Sequence, residues 1–105
     1  MIVLEDLGNN TGYEKLTTAT TAKNITASLI KPTTGFYKGI MAKAVILSVE
    51  TNPVRILMNG TAVTNSTGIQ LKADTYFTIT NAENIKNISL IDVSGAGFVH
   101  VLVFH

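Results

Sequence analysis

His100 is the first residue to consider for chemistry. It sits in the last apolar run, Phe98-Val-His-Val-Leu-Val-Phe104, which follows Asp92 across a Ser94-Gly-Ala-Gly97 turn. If the two flanking runs formed a hairpin, His100 and Asp92 could face each other, with Ser94 or Ser89 as the nucleophile of a Ser-His-Asp set. Such a nucleophile needs a sharp elbow and backbone donors for the oxyanion, and neither serine lies in a Gly-x-Ser-x-Gly pattern or beside a glycine-rich oxyanion motif. His105 and His100 as metal ligands fall short as well, because two imidazoles on one terminal strand lack the further ligands of a closed site. Glu50, Asp74 and Glu83 fall in or beside turns, where solvation or backbone capping explains them more simply than acid-base work. Gly8-Asn-Asn-Thr-Gly12 lacks the lysine and following helix of a phosphate loop. Tyr13, Phe36, Tyr37 and Tyr76 could stack on sugar faces in a carbohydrate-binding module, but packing in a core or an interface is the simpler use of them. The residues therefore predict no catalytic centre, no metal site and no cofactor.

Composition narrows the classes further. With 105 residues, the chain has the size of one domain, able to bury roughly 60 to 70% of the surface its unfolded form exposes. Hydrophobic residues make up 46% and charged residues only 14%, so Thr, Asn and Ser must supply much of the polar surface. A net charge of +1 with scattered Lys and Arg provides no basic stripe, which argues against nucleic acid as a partner. Zero cysteines exclude disulfides, thiol nucleophiles and Cys-type zinc sites. The start, Met1-Ile-Val-Leu-Glu-Asp-Leu7, has no positive n-region and is interrupted by two acids. No apolar run approaches the ~20 residues that span a bilayer, so the expectation is a protein made and used without membrane passage. On that expectation the Asn-X-Ser/Thr triplets at Asn24, Asn59, Asn65 and Asn87 are by-products of Asn and Thr abundance.

The elements that would position these residues read as strands. Ala44 to Ile79 alternates apolar runs with clusters of Asn, Thr, Gly and Asp, the pattern of short strands joined by polar turns. Ala42 to Glu50 is the strongest strand and, being apolar on both faces, a central one. Thr51-Asn-Pro53 turns the chain into Val54 to Met58, with Val54, Ile56 and Met58 inward and Arg55 outward. Arg55 and Glu50 could pair across that turn. Asn59-Gly60 and Lys72-Ala-Asp74 mark further turns before strands at Ile69 to Leu71 and Thr75 to Thr80. β-Branched residues predict strands near 15 to 20 and 24 to 30. Residues 1 to 14 read as an arm or edge segment, Pro32 to Gly39 as a loop, and Asn81 to Lys86 as at most one helical turn. A strand at Asn87 to Val93 then closes a hairpin into Phe98 to Phe104. That last strand is apolar on both faces and needs cover from a second sheet or another copy of the chain. The predicted fold is all-β, a single-domain β-sandwich or jelly-roll-like domain of about eight short, mainly antiparallel strands over 15 to 105.

The stretch Ala44-Val-Ile-Leu-Ser-Val-Glu-Thr-Asn-Pro-Val-Arg-Ile-Leu-Met-Asn-Gly-Thr61, with Gly68-Ile-Gln-Leu71 and the strand from Asp74 to Ile79, resembles a group of small tailed-bacteriophage virion proteins. The likeness covers about half to two-thirds of the chain, and its motifs are structural. The chain departs from the group at Ala62-Val63-Thr64, where Pro-Thr is usual, and at Lys72-Ala-Asp74, where Gly is typical. The resemblance implies a non-enzymatic β-sandwich of the virion, a capsid decoration (cement) protein on the head surface, assembled in the host cytoplasm. A neck or tail protein, or a carbohydrate-binding module of a virion, is the alternative. The expected partners are the major capsid protein or other virion proteins and a second or third copy of the chain. The expected contacts are Ile2, Val3 and Leu4 in the arm, Phe36 and Tyr37 in the loop, and Phe98, Leu102 and Phe104 in the last strand.

Overall fold

Ala44–Glu50 is the most deeply buried strand, with Val45, Leu47 and Val49 pointing into the main core and Ala44 and Ile46 buried on the opposite face. The computed structural model describes residues 8–105, and Ile2, Val3 and Leu4 lie outside them. In chain order the elements are β1 (Asn10–Thr17), β2 (Lys23–Asn24), α1 (Ala27–Ile30), β3 (Ala44–Glu50) and β4 (Val54–Leu57). They continue with β5 (Ile69–Leu71), β6 (Thr75–Ile79), α2 (Ala82–Lys86), β7 (Ser89–Asp92) and β8 (Phe98–Phe104).

The strands form two four-stranded antiparallel sheets, in the orders β1-β8-β3-β6 and β2-β7-β4-β5. The first strand pairs with the last, the second with the seventh, the third with the sixth and the fourth with the fifth. The chain is thus one long double ribbon, folded at the β4–β5 connection and rolled so that β8 also meets β3 and β7 meets β4. This is the jelly-roll form of the β-sandwich, and the predicted fold class holds.

The strand alternation positions the core. Val99, Val101 and Val103 of β8 face Val54 and Ile56 of β4, Leu90 of β7 and Leu71 of β5 across the sandwich, within one buried cluster. A smaller cluster of Ala44, Ile46 and Phe104, with Leu102 against it, lies on the other side of the first sheet.

Several expectations are corrected. The strand expected near 15 to 20 begins at Asn10 and ends at Thr17, pairing along β8 with a bulge between Asn10 and Gly12. Of the two readings of residues 1 to 14, an arm or an edge segment, residues 10 to 14 take the second, as part of β1. The strand expected over 24 to 30 is the two-residue β2 followed by the helical turn α1. The reason is tertiary: the Glu14 carboxylate accepts bonds from the Thr26 amide (3.1 Å) and hydroxyl (2.9 Å), and the turn then buries Ile30. Ser94 to Gly97 does not close a hairpin, because β7 and β8 belong to different sheets and the loop crosses between them. Likewise the Thr51–Pro53 turn carries the chain from one sheet to the other, so Glu50 and Arg55 diverge and do not pair. Arg55 Nη1 donates instead to the Gly68 carbonyl at 3.2 Å. The single helical turn expected near 81 to 86 is present as α2, capped by the Asn81 side chain accepting from the Asn84 amide at 3.2 Å. At the Lys72–Asp74 turn Asp74 adopts φ 60°, a left-handed conformation that Asp tolerates where glycine is usual.

Candidate functional site

The loop between α1 and β3 forms a hydrogen-bonded knob. Pro32 directs the chain away from α1, and the Gly39 amide returns to the Pro32 carbonyl (2.8 Å) while the Ala42 amide returns to the Ile30 carbonyl (2.7 Å). Inside this closure, Lys38 N–H donates to Gly35 and Ile40 N–H to Tyr37, with Gly35 and Gly39 at the positive φ that the turns require. Tyr37 anchors the knob. Its hydroxyl accepts from Asn9 Nδ2 at 2.8 Å, and its ring lies tilted over the His105 imidazole at 5.1 Å. Phe36 packs edge-on against Tyr37 at 5.0 Å yet remains 89% exposed, and Ile40 on the same loop is 51% exposed. Two apolar side chains are therefore held outward by an ordered backbone.

His105 is the joint beneath the knob. Nε2–H donates to the Ile30 carbonyl (3.1 Å), and Nδ1 shares a hydrogen bond with the Thr11 hydroxyl (2.5 Å), whose Oγ1 also lies 3.3 Å from the Val103 carbonyl oxygen. The buried ring thus ties β8 to β1 and to the end of α1, and both its nitrogens are engaged. His100 is elsewhere, on the outer face of the first sheet. Its Nδ1 shares a hydrogen bond with the Tyr13 hydroxyl (2.7 Å), the Tyr13 ring stacks on it at 5.9 Å, and its Nε2 lies 3.4 Å from a Glu50 carboxylate oxygen. Asp92, on β7 of the second sheet, is not its partner. Ser89 is buried, with its hydroxyl accepting from the Val63 amide at 3.1 Å, and Ser94 is exposed in the crossover. The Ser-His-Asp set is therefore not assembled. The Tyr13–His100–Glu50 chain replaces it on an open sheet face, where cross-strand register could have placed Glu50 only after the β3–β8 pairing was known.

The aromatic residues do not gather into one platform. Tyr13 is on the β1 edge and Tyr76 on the β6 edge, with β8 and β3 between them, a separation of roughly 14 Å at ordinary strand spacing. Phe36 and Tyr37 stand apart on the knob. Among the expected contacts of the last strand, Phe98 is half-buried under the Lys15 ammonium (4.4 Å from the ring centre) and Leu102 is half-buried. Phe104 is only 5% exposed and packs on Ala44 and Ile46, so little of its ring remains for another chain.

A groove of 540 Å³ that the sequence did not suggest opens between α1 and α2, over Ile25, Ile30 and Met41, with Lys31, Glu83 and Lys86 at its rim. Among the described residues no group of three or more His, Cys, Asp or Glu is placed to hold a metal ion, and no helix is long and apolar enough to cross a membrane. No family model matches the chain, and no curated protein or solved structure matches it either.

Proposed function

We propose that this chain is a non-enzymatic structural component of a bacteriophage virion, a capsid decoration protein that binds the head surface through the Phe36–Ile40 knob. The observation that carries the reading is the knob itself. Exposing Phe36 and Ile40 on a hydrogen-bonded loop gains the folded chain nothing on its own, whereas a pre-ordered apolar protrusion loses little conformational freedom when it docks. The resemblance of Ala44 to Ile79 to small tailed-phage virion proteins supports the class. So does the jelly roll, by analogy of fold alone, since viral capsid domains use it often. The expected partner is the major capsid protein, and copies repeated on a lattice would gain avidity from weak individual contacts.

The test is immunogold labelling of purified particles produced by the genome that encodes the chain. Label over the heads is the expected result. Label at the neck or tail would transfer the reading to a connector or tail component, and particles free of the protein would end it.

A further inference from the structure

The two flanks of the sandwich differ in how their sheet edges are protected. On one flank, β1 carries a bulge and the charges of Glu14 and Lys15, and β2 is two residues long and starts with Lys23. Bulges, charges and very short strands are the devices that keep edges from pairing. On the other flank, β5 (Ile-Gln-Leu) is guarded only by its shortness, and the five-residue β6 (Thr-Tyr-Phe-Thr-Ile) has none of these devices: no charge, no proline and no bulge. Residues 72 to 74 join β5 to β6, so both edges lie on the same side. Tyr76 is 62% and Ile69 67% exposed there, and Phe77 and Ile79 are only half-buried at the rim of the core. Among the described residues no strand pairs with the outer side of β6.

We infer that β6 is a homodimerisation edge, pairing antiparallel with β6 of a second copy to join the two β1-β8-β3-β6 sheets into one. The sequence of β6 is self-complementary for this. Centred on Phe77, a two-fold antiparallel pairing sets Thr75 opposite Ile79 and Tyr76 opposite Thr78, so core-facing residues meet core-facing ones and outer residues meet outer ones in both copies. Phe77 meets its own copy, an aromatic cross-strand pair that covers the half-buried rim. No charged residue lies within the strand, and Asp74 falls opposite Thr80, so no like charges meet. The same approach brings the two β5 edges, with Ile69, toward each other. An unrelated extended peptide could use the same edge, but the pairs a second copy brings, Phe77 on Phe77 and Tyr76 on Thr78, are the aromatic and aromatic–β-branched cross-strand pairs that stabilise sheets, which favours a second copy. The interface stands whether or not the protein belongs to a virion. It also differs from association through β8, whose two edges are already taken by β1 and β3.

The test is sedimentation equilibrium of the full chain over a concentration series. The expected species has twice the 11.2 kDa chain mass. Tyr76→Lys and Thr78→Lys together put like charges opposite each other at both outer-face pairs, and should raise the dimer dissociation constant by at least about tenfold. Both side chains are exposed, so an unchanged circular dichroism spectrum and melting temperature would show that the fold persists. Thr17→Lys, on the guarded flank, should leave the mass unchanged. Register is read by cysteine pairing, which is clean in a chain that has no cysteine. A mixture of Tyr76→Cys and Thr78→Cys chains should give a covalent dimer on oxidation well in excess of either chain alone. A wild-type monomer up to about 1 mM, a dimer indifferent to the paired lysines, or equal cross-linking in the mixed and single samples would overturn the inference.

Discussion

Single side chains separate the docking surface from the framework beneath it. Phe36 contributes almost nothing to the fold because nearly all of its surface stays in water. Phe36→Asp should leave the melting temperature within about 1 °C and weaken binding to undecorated particles at least tenfold, measured by co-sedimentation. Ser89 is the reverse case. Its hydroxyl answers the buried Val63 amide, so Ser89→Ala should cost about 1 to 3 kcal/mol in urea unfolding without changing binding. Thr51 shows local strain. With φ 74° and a bond from the Asn52 amide to the Glu50 carbonyl (2.9 Å), it centres a tight turn in a region that β-branched residues avoid. Thr51→Gly should therefore raise stability by about 0.5 to 1 kcal/mol, the relief of strain outweighing the added freedom of the unfolded chain.

At the scale of elements, the crossovers between sheets decide most. The 51–53 and 93–97 crossovers meet where Asn52 Nδ2 donates to the Ala96 carbonyl (2.9 Å), and Gly97 is locked there by its amide donating to the Thr18 hydroxyl (2.8 Å). A Cβ on Gly97 would stand 2.7 Å from the Asn52 carbonyl oxygen. Gly97→Ala should thus cost about 1 to 3 kcal/mol as an overpacking defect, seen as a lower urea midpoint with an unchanged slope. In β3, Leu47 is fully buried between β8 and β6 neighbours, and Leu47→Ala should cost about 2 to 5 kcal/mol. Neither change touches the knob, so any protein that still folds should keep its binding surface.

For the whole molecule, the rolled ribbon makes the ends of the chain interdependent. β1 and β8 pair along their length although nearly the whole sequence separates them, and such non-local pairing makes folding slow. Stopped-flow refolding is expected in the range of milliseconds to seconds. The same topology places the charged flank, β1 and β2, opposite the flank of β5 and β6, whose strands carry no charge.

The alternation of apolar and polar residues, a local property, was enough to determine an all-β domain of about eight strands, the inward face of β3, β4 and β8, and the turns at Asn59-Gly60 and Lys72–Asp74. It left Phe36 and Tyr37 open between tucking back and standing out, and the fold divides them: Tyr37 packs over His105 while Phe36 stays exposed. Sheet membership was not legible, since a turn that closes a hairpin and a turn that crosses between sheets use the same residues. The local pattern therefore points His100 at Asp92 rather than at Glu50 and Tyr13, and it makes a strand of 24–30, where Glu14 from a distant strand holds Thr26 at the start of a helical turn. Phe104 was legible as apolar but not as buried. Only the long-range pairing of β1, β3 and β8 decided which apolar surfaces the chain covers by itself and placed the uncharged β6 at a sheet edge that no described strand covers.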